Sequence, residues 1–272
     1  MKRLIKSCLL IIVALVALQA TCGKITKPIP KTAVRAIRFK DFVYFHNVSI
    51  AYDGDHFFAI NGGNESYCKL NEYDKKGNLI KSYDVGLDAR AIFYNPDTKK
   101  LYVKIFGYDL YSINLSDEKA DLELSFVFES DNSSPAASPD GKYIYELHEG
   151  EIRILEFKTG EEVKSFEISD YFYEHSYNVS IAASDGYIFV WASEDDLYAY
   201  DLEGNYVTKI ELPAQGFGFS LSYCSNLIWI ALDADGSVDG NFGFWYGYDL
   251  DGRYTTRSKA TGEKGLDTAT PK

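Results

Sequence analysis

The sequence predicts an all-β fold assembled from one four-stranded unit used five times. Three observations predict it. First, "NVSIAYDGDHFFAI" from Asn47 is nearly repeated as "NVSIAASDGYIFVW" from Asn178, 131 residues later. Second, an Asp–Gly turn recurs: Tyr73-Asp74-Lys-Lys-Gly77, Tyr200-Asp201-Leu-Glu-Gly204 and Tyr248-Asp249-Leu-Asp-Gly252, with weaker copies at Asn114 and at Glu156 to Gly160. The polar position falls at 74, 114, 156, 201 and 249, in steps of 40, 42, 45 and 48. A third of the 131-residue offset gives the same period. Third, the runs around these turns alternate in polarity, as in Asp196-Leu-Tyr-Ala-Tyr-Asp201, which is the strand signature. The 22 Tyr and 17 Phe suit pleated, half-buried surfaces.

Each unit can be justified along the chain. Ser138-Pro-Asp-Gly-Lys-Tyr-Ile-Tyr145 is a tight turn entering a strand. Its counterparts begin at Tyr52, Asn95, Ala183 and Cys224. A loop and a third strand follow, then the Asp–Gly turn. There Asp accepts backbone N–H bonds and Gly supplies a positive φ. A fourth alternating run closes the unit, such as Val163-Lys-Ser-Phe-Glu-Ile168 or Tyr206 to Leu212. Four-stranded units at a period near 44 are propeller blades. Five blades are visible; six with a degenerate unit is the alternative count. Val34-Arg-Ala-Ile-Arg-Phe39 precedes the first "NVSIA" as Val163–Ile168 precedes the second. Residues 33–40 are therefore expected as the outer strand of the last blade, closing the ring.

The remaining segments follow from composition. Lys2, Arg3 and Lys6 precede an uncharged apolar run, Ser7–Ala20, too short for a comfortable permanent span. Residues 1–22 are expected as a secretory signal, 23–32 as a tether, 33–258 as the propeller and 259–272 as a disordered tail. Removal of the leader takes the formal net charge from −12 to −15. So acidic a body repels phosphate backbones, which argues against nucleic-acid partners. Cys68 and Cys224 read as buried thiols, although export would permit a disulfide.

"SPDGKYIY" and "LYAYDLEGN" resemble the blade phrases of WD-type, YVTN and quinoprotein-like bacterial propellers, over residues 33 to about 258. The resemblance implies the fold more than any activity, because such propellers bind and catalyse many things. Cys22 after the apolar run resembles a bacterial lipoprotein box, although Gln19 and Thr21 depart from it. That resemblance implies lipidation of Cys22 and an extracytoplasmic place: periplasm, outer membrane or cell surface. One acyl chain would hold a membrane only reversibly.

Propeller ligands usually meet the face built by loops between blades. Here those loops are aromatic. Asp170-Tyr-Phe-Tyr-Glu-His-Ser-Tyr177 matches Asp41-Phe-Val-Tyr-Phe-His46, with Gln215-Gly-Phe-Gly-Phe219 and Asp88-Ala-Arg90 in equivalent places. Tyr44, His46, Arg90, Tyr173, His175, Phe217 and Phe219 are the expected ligand or partner face. Aromatic faces with a few polar groups suit sugars or peptides. Packing of blade against blade is the competing role for each ring. Asp233, Asp235 and Asp239 resemble a calcium loop, but the Gly and Glu positions of an EF-hand are missing; otherwise no cofactor is expected. Four His lie far apart, and no G-x-S-x-G, H-E-x-x-H or Cys/His spacing occurs. The sequence thus points to a non-enzymatic, monomeric binding or scaffold propeller that meets a protein or glycan. The alternative is a glycan or lactone hydrolase with a central acidic site.

Overall fold

A computed structural model describes residues 25, 28–41, 46–63, 68–168, 180–193, 195–232, 243–255 and 270–271. Its outermost first strand is β1 (Val34–Asp41). Blade one follows with β2 (His46–Tyr52), β3 (Phe57–Gly62), β4 (Leu70–Tyr73) and β5 (Leu79–Tyr83). Blade two holds β6 (Ala89–Asn95), β7 (Lys100–Ile105), β8 (Leu110–Asn114) and β9 (Lys119–Leu124). Blade three holds β10 (Ala136–Ala137), β11 (Tyr143–His148), β12 (Glu151–Glu156) and β13 (Glu162–Glu167). Blade four is β14 (Ile181–Ala183), β15 (Tyr187–Trp191), β16 (Asp196–Asp201) and β17 (Tyr206–Glu211). Blade five is β18 (Ser222–Cys224), β19 (Leu227–Leu232) and β20 (Gly243–Asp249), completed by β1. β21 (Tyr254–Thr255) pairs with β22 (Thr270–Pro271). All five sheets are antiparallel, and the five-bladed propeller is the observed fold.

The seam forms as the chain order predicts. β1 runs antiparallel to β20, from Val34 opposite Asp249 to Asp41 opposite Gly243. The innermost strands β2, β6, β10, β14 and β18 each adjoin both neighbours, with β18 beside β2. One apolar cluster fills each of the five gaps. Val48, Ile60 and Leu70 meet Ile92, Leu101 and Val103 between blades one and two. Trp229 and Trp245 meet Ile50, Phe57 and Tyr73 across the seam. Clusters around Phe93 and Phe157, Ile152 and Val190, and Phe189 and Ile230 fill the others. A blade is two-sided and thin, so it can shelter its apolar faces only against other blades.

The recurrent turn has a second job that sequence did not disclose. Asp74 Oδ1 accepts from the N–H of Lys76 (2.8 Å) and Asn78 (2.9 Å), and Asn78 Nδ2 donates to Asp74 Oδ2 at 2.8 Å. Asp201 repeats the pattern with Glu203 and Asn205, each at 2.9 Å. These bonds hold both aspartates below the ordinary carboxylate range. Gly77 and Gly204 have φ of +80° and +90°. A Cβ on Gly77 would also overlap Phe39 of β1, and one on Gly204 would overlap Phe166 of β13. Each glycine therefore serves the turn and lets it seat on the outer strand of the preceding blade.

Residues 28–33, mostly within the stretch expected as a tether, lie along blade four. Glu211 N–H donates to Lys31 O (2.8 Å), and Ala33 N–H to Glu211 O (3.0 Å). Ile25, Ile29 and Ala33 are buried among blade-four and blade-five side chains, because apolar groups gain by leaving water. Cys68 and Cys224 are both buried thiols. The signal segment, Cys22, residues 256–258 and residues 259–269 and 272 of the expected tail lie outside the described residues.

Candidate functional site

The central channel is nearly filled. Small side chains line it, including Ala51, Ala136 and Ala137, with Ile92, Ile181 and Leu221, leaving about 50 Å³. Its polar lining residues are serines, with Ser49 Oγ 3.1 Å from Ser222 Oγ, together with Tyr52, Tyr94, Tyr223 and Cys224. Among the described residues, no three acidic, histidine or cysteine side chains are placed to hold a metal.

One end of the channel is covered by residues 216–220. Phe217 N–H donates to Ala231 O in blade five at 2.8 Å. Ser180 Oγ, beside blade four, donates to Gly218 O at 2.5 Å, and Ser134 Oγ, beside blade three, to Phe219 O at 3.3 Å. Phe217 stacks on His46 of blade one, centroids 4.8 Å apart and planes at 19°. Contacts with four blades place the segment across the axis.

A hollow of about 480 Å³ opens beside this cover, between blades one and two. His46, Val48, Gly62, Gly63, Arg90, Asn132, Phe217 and Phe219 line it. Four residues expected on the ligand face, His46, Arg90, Phe217 and Phe219, thus converge. Tyr44, Tyr173 and His175 lie outside the described residues, as do Asp233, Asp235 and Asp239 of the expected calcium loop. Phe217 and Phe219 form a continuous wall, centroids 5.3 Å apart.

Arg90 is fixed from several sides. Its guanidinium pairs with Asp88, and both side chains are largely buried. Nε donates to Asn132 Oδ1 at 2.6 Å and Nη1 to Ala89 O at 2.9 Å. The guanidinium carbon lies 4.9 Å from the Phe106 ring centroid, within reach of a cation–π contact. Asp88 Oδ1 also accepts from Gly63 N–H at 2.6 Å, tying the end of β3 to blade two. Asn132 Nδ2 has no partner among the described residues.

Asn132 rides on a loop held by buried charges. Lys104 of β7 is fully buried, and its Nζ donates to Ser130 O (3.1 Å) and Asp131 O (2.7 Å). Glu146 of β11 is also fully buried. It accepts from Ser130 N–H (3.1 Å), Glu129 N–H (3.1 Å), Ser133 Oγ (2.7 Å) and Arg153 Nη1 (2.8 Å). Burial pushes Lys104 down to about 7, against the opposing pull of Glu146. Beyond Arg90, Phe106, Tyr108 and Phe126 stand exposed. Phe126 is 82% exposed and stacks on Tyr108 at 6.3 Å.

Sequence reasoning named Arg90 and its neighbour Asp88 but missed Asn132 and the Phe106–Tyr108–Phe126 ridge. Nothing local marks them. Asn132 lies 42 residues from Arg90 and meets it only because β6 and the loop before β10 share one end of the ring. Position in the repeat was the one available signal, since the ridge occupies the loops joining β7 to β8 and β9 to β10.

No family model matches the chain, and no curated protein matches it in sequence. Among solved structures, it is similar to a glutaminyl cyclase from Myxococcus xanthus. The TM-score is 0.58 at 12% identity, covering 83% of this chain and 99% of that one. BamB from Moraxella catarrhalis gives a TM-score of 0.37 at 14% identity, covering 67% of this chain and 56% of that one. At such identities the first likeness is one of fold, and it agrees with the blades described above.

Proposed function

We propose that this is an exported binding propeller that engages a protein or glycan through the face bearing His46, Arg90, Phe217 and Phe219. One observation carries the reading. Residues drawn from four distant parts of the chain line a single hollow, where an aromatic wall meets a few fixed polar groups. That composition suits a recognition pocket. The described residues lining the channel are serines, tyrosines and apolar side chains with no carboxylate among them, so catalysis by converging acids finds no support from them. Residues 1–22 would direct export and Cys22 would carry a lipid, placing the domain in the periplasm or at a membrane or cell surface.

The test is affinity capture from the native envelope, followed by identification of retained proteins and carbohydrates. Wild type, Arg90→Ala and Phe217→Ala are compared, each verified as folded. The reading expects a partner held by wild type and lost by both variants. A protein that returns alone and cleaves bonds in a glycan panel would overturn it.

A further inference from the structure

Resting on that binding reading, we propose that the hollow is a saccharide site for an uncharged glycan chain. One pyranose ring lies on the Phe217–Phe219 wall, and the chain continues toward the Phe106–Tyr108–Phe126 ridge.

Three features select this ligand chemistry. The first is charge. Among the described residues lining the hollow the one cation is Arg90, and it is already paired with Asp88 and bonded to Asn132 and Ala89 O. The neighbouring cation, Lys104, is buried and spent on two carbonyls. An anionic ligand would find no uncompensated positive charge, in a body that already carries net negative charge. For a cationic ligand, no carboxylate stands among the described residues that line the hollow, and the nearby Asp88 is already paired with Arg90.

The second is the pairing of an aromatic wall with an open hydrogen-bond donor. A pyranose presents C–H groups on one face, and the negative face of an aromatic ring attracts them. Its hydroxyls each donate and accept. Asn132, whose Oδ1 is taken by Arg90, lines the hollow and offers its Nδ2 as a donor. A sugar hydroxyl can accept from that amide. The four-sided restraint on Arg90 fixes this polar edge in advance, which lowers the ordering cost of binding.

The third is what the site lacks for a peptide. Extended peptides commonly bind by adding to an open strand edge. Here His46 is already opposite Gly62 in the β2–β3 ladder, and the Gly63 N–H is taken by Asp88. Among the described residues, these two backbone positions at the hollow are already engaged.

The ridge supplies a second platform. Phe106 lies under the Arg90 guanidinium and is half-exposed, and Phe126 stacks on Tyr108 in the next loop. One occupant can therefore touch both Arg90-linked surfaces, which favours an oligosaccharide over a single sugar.

Calorimetric titration with neutral oligosaccharides of glucose, mannose, galactose and N-acetylglucosamine tests this, with polygalacturonate and chondroitin sulfate as anionic comparisons. At least one neutral oligomer should bind, and tighter than its monosaccharide. Phe217→Ala should weaken binding about tenfold, the worth of one good aromatic contact. Phe217→Tyr should keep it. Phe126→Ala alters a side chain that is 82% exposed, so the fold should be unaffected. It should weaken long oligomers and leave the monosaccharide unchanged. No binding across the neutral panel, or binding confined to the anionic polymers, overturns the proposal. A protein captured through Arg90 and Phe217 without glycan binding overturns the saccharide assignment alone. Loss of both sinks the binding face with it.

Discussion

Asp41 ends β1, and its carboxylate sits fully buried at the seam. Four uncharged donors converge on it from both sides. Trp245 Nε1 reaches it from blade five at 2.8 Å, Asn47 Nδ2 and Asn71 Nδ2 from blade one at 2.8 Å each, and the Tyr73 hydroxyl completes the set. Truncation to Ala would orphan four buried donors. Each unsatisfied group costs about 1–3 kcal/mol. Removal of a desolvated charge offsets part of that, leaving a net loss of roughly 4 kcal/mol. Such a loss is a large share of the roughly 5–15 kcal/mol that holds a domain folded. Asp41→Asn keeps one acceptor oxygen but turns an amide against the donors, for a loss of about 2 kcal/mol. Tyr73→Phe removes a single donor and should cost about 1 kcal/mol.

Urea unfolding followed by tryptophan emission reads these changes, because Trp229 and Trp245 lie in the seam cluster. The double variant Asp41→Asn with Tyr73→Phe should lose less than the sum of its parts, by at least about 0.5 kcal/mol. Burial raises the Asp41 pKa in spite of the four bonds. The folded state then binds the proton more readily than the unfolded chain. Its contribution to stability should therefore grow as pH falls from the folded value toward the ordinary 3.8. Asp41→Asn should lack that component. Strict additivity of the pair, or Asp41→Ala within about 1 kcal/mol of wild type, would refute the seam argument.

Further outcomes follow from other parts of the ring. Gly77→Ala places a Cβ into Phe39 at a positive φ, and should cost about 3 kcal/mol in the same unfolding assay. Gly186→Ala, with nothing near its added methyl, should stay within about 0.5 kcal/mol of wild type; equal losses would sink the account. Lys104 is pushed down from 10.5 to about 7, so the folded state binds fewer protons than the unfolded chain between those values. Stability should rise with pH across that window, by up to about 3 kcal/mol between pH 7 and 10. Lys104→Met should flatten the rise; parallel curves would contradict the burial of a charge. Deletion of Val34–Asp41 should destabilise the whole domain and promote self-association, seen as lost cooperativity and larger species in sedimentation. A stable monomeric deletion variant would show that β1 is dispensable.

What sequence conveyed and what it hid divide along a physical line. Asp74, Gly77, Asp201 and Gly204 form turns from residues within five positions of each other, so their chemistry is written locally. The period of those turns supplied the blades, and Val34–Phe39 fell into place by analogy with Val163–Ile168. Asp41 was legible only as the start of an aromatic loop. Its partners at 47, 71, 73 and 245 come together through closure of the ring. Lys104 reads as an ordinary polar strand residue, and the loop carbonyls that accept its hydrogen bonds cannot be seen in sequence. Loop equivalence singled out His46, Arg90, Phe217 and Phe219, which share one hollow. Asn132 and Phe126 required coordinates because their neighbours are set by packing between blades.

The seam strand also sets a timetable. β1 is among the first parts of the domain to be synthesised, and its partner β20 is the last blade strand, with Val34 opposite Asp249. Throughout elongation β1 carries an unpaired edge and an apolar face that no earlier segment can satisfy. The contact that finishes the ring spans nearly the whole domain, so its loop-closure entropy is met late and at once. A nascent or truncated chain is thereby left with its ring open until β20 has been made.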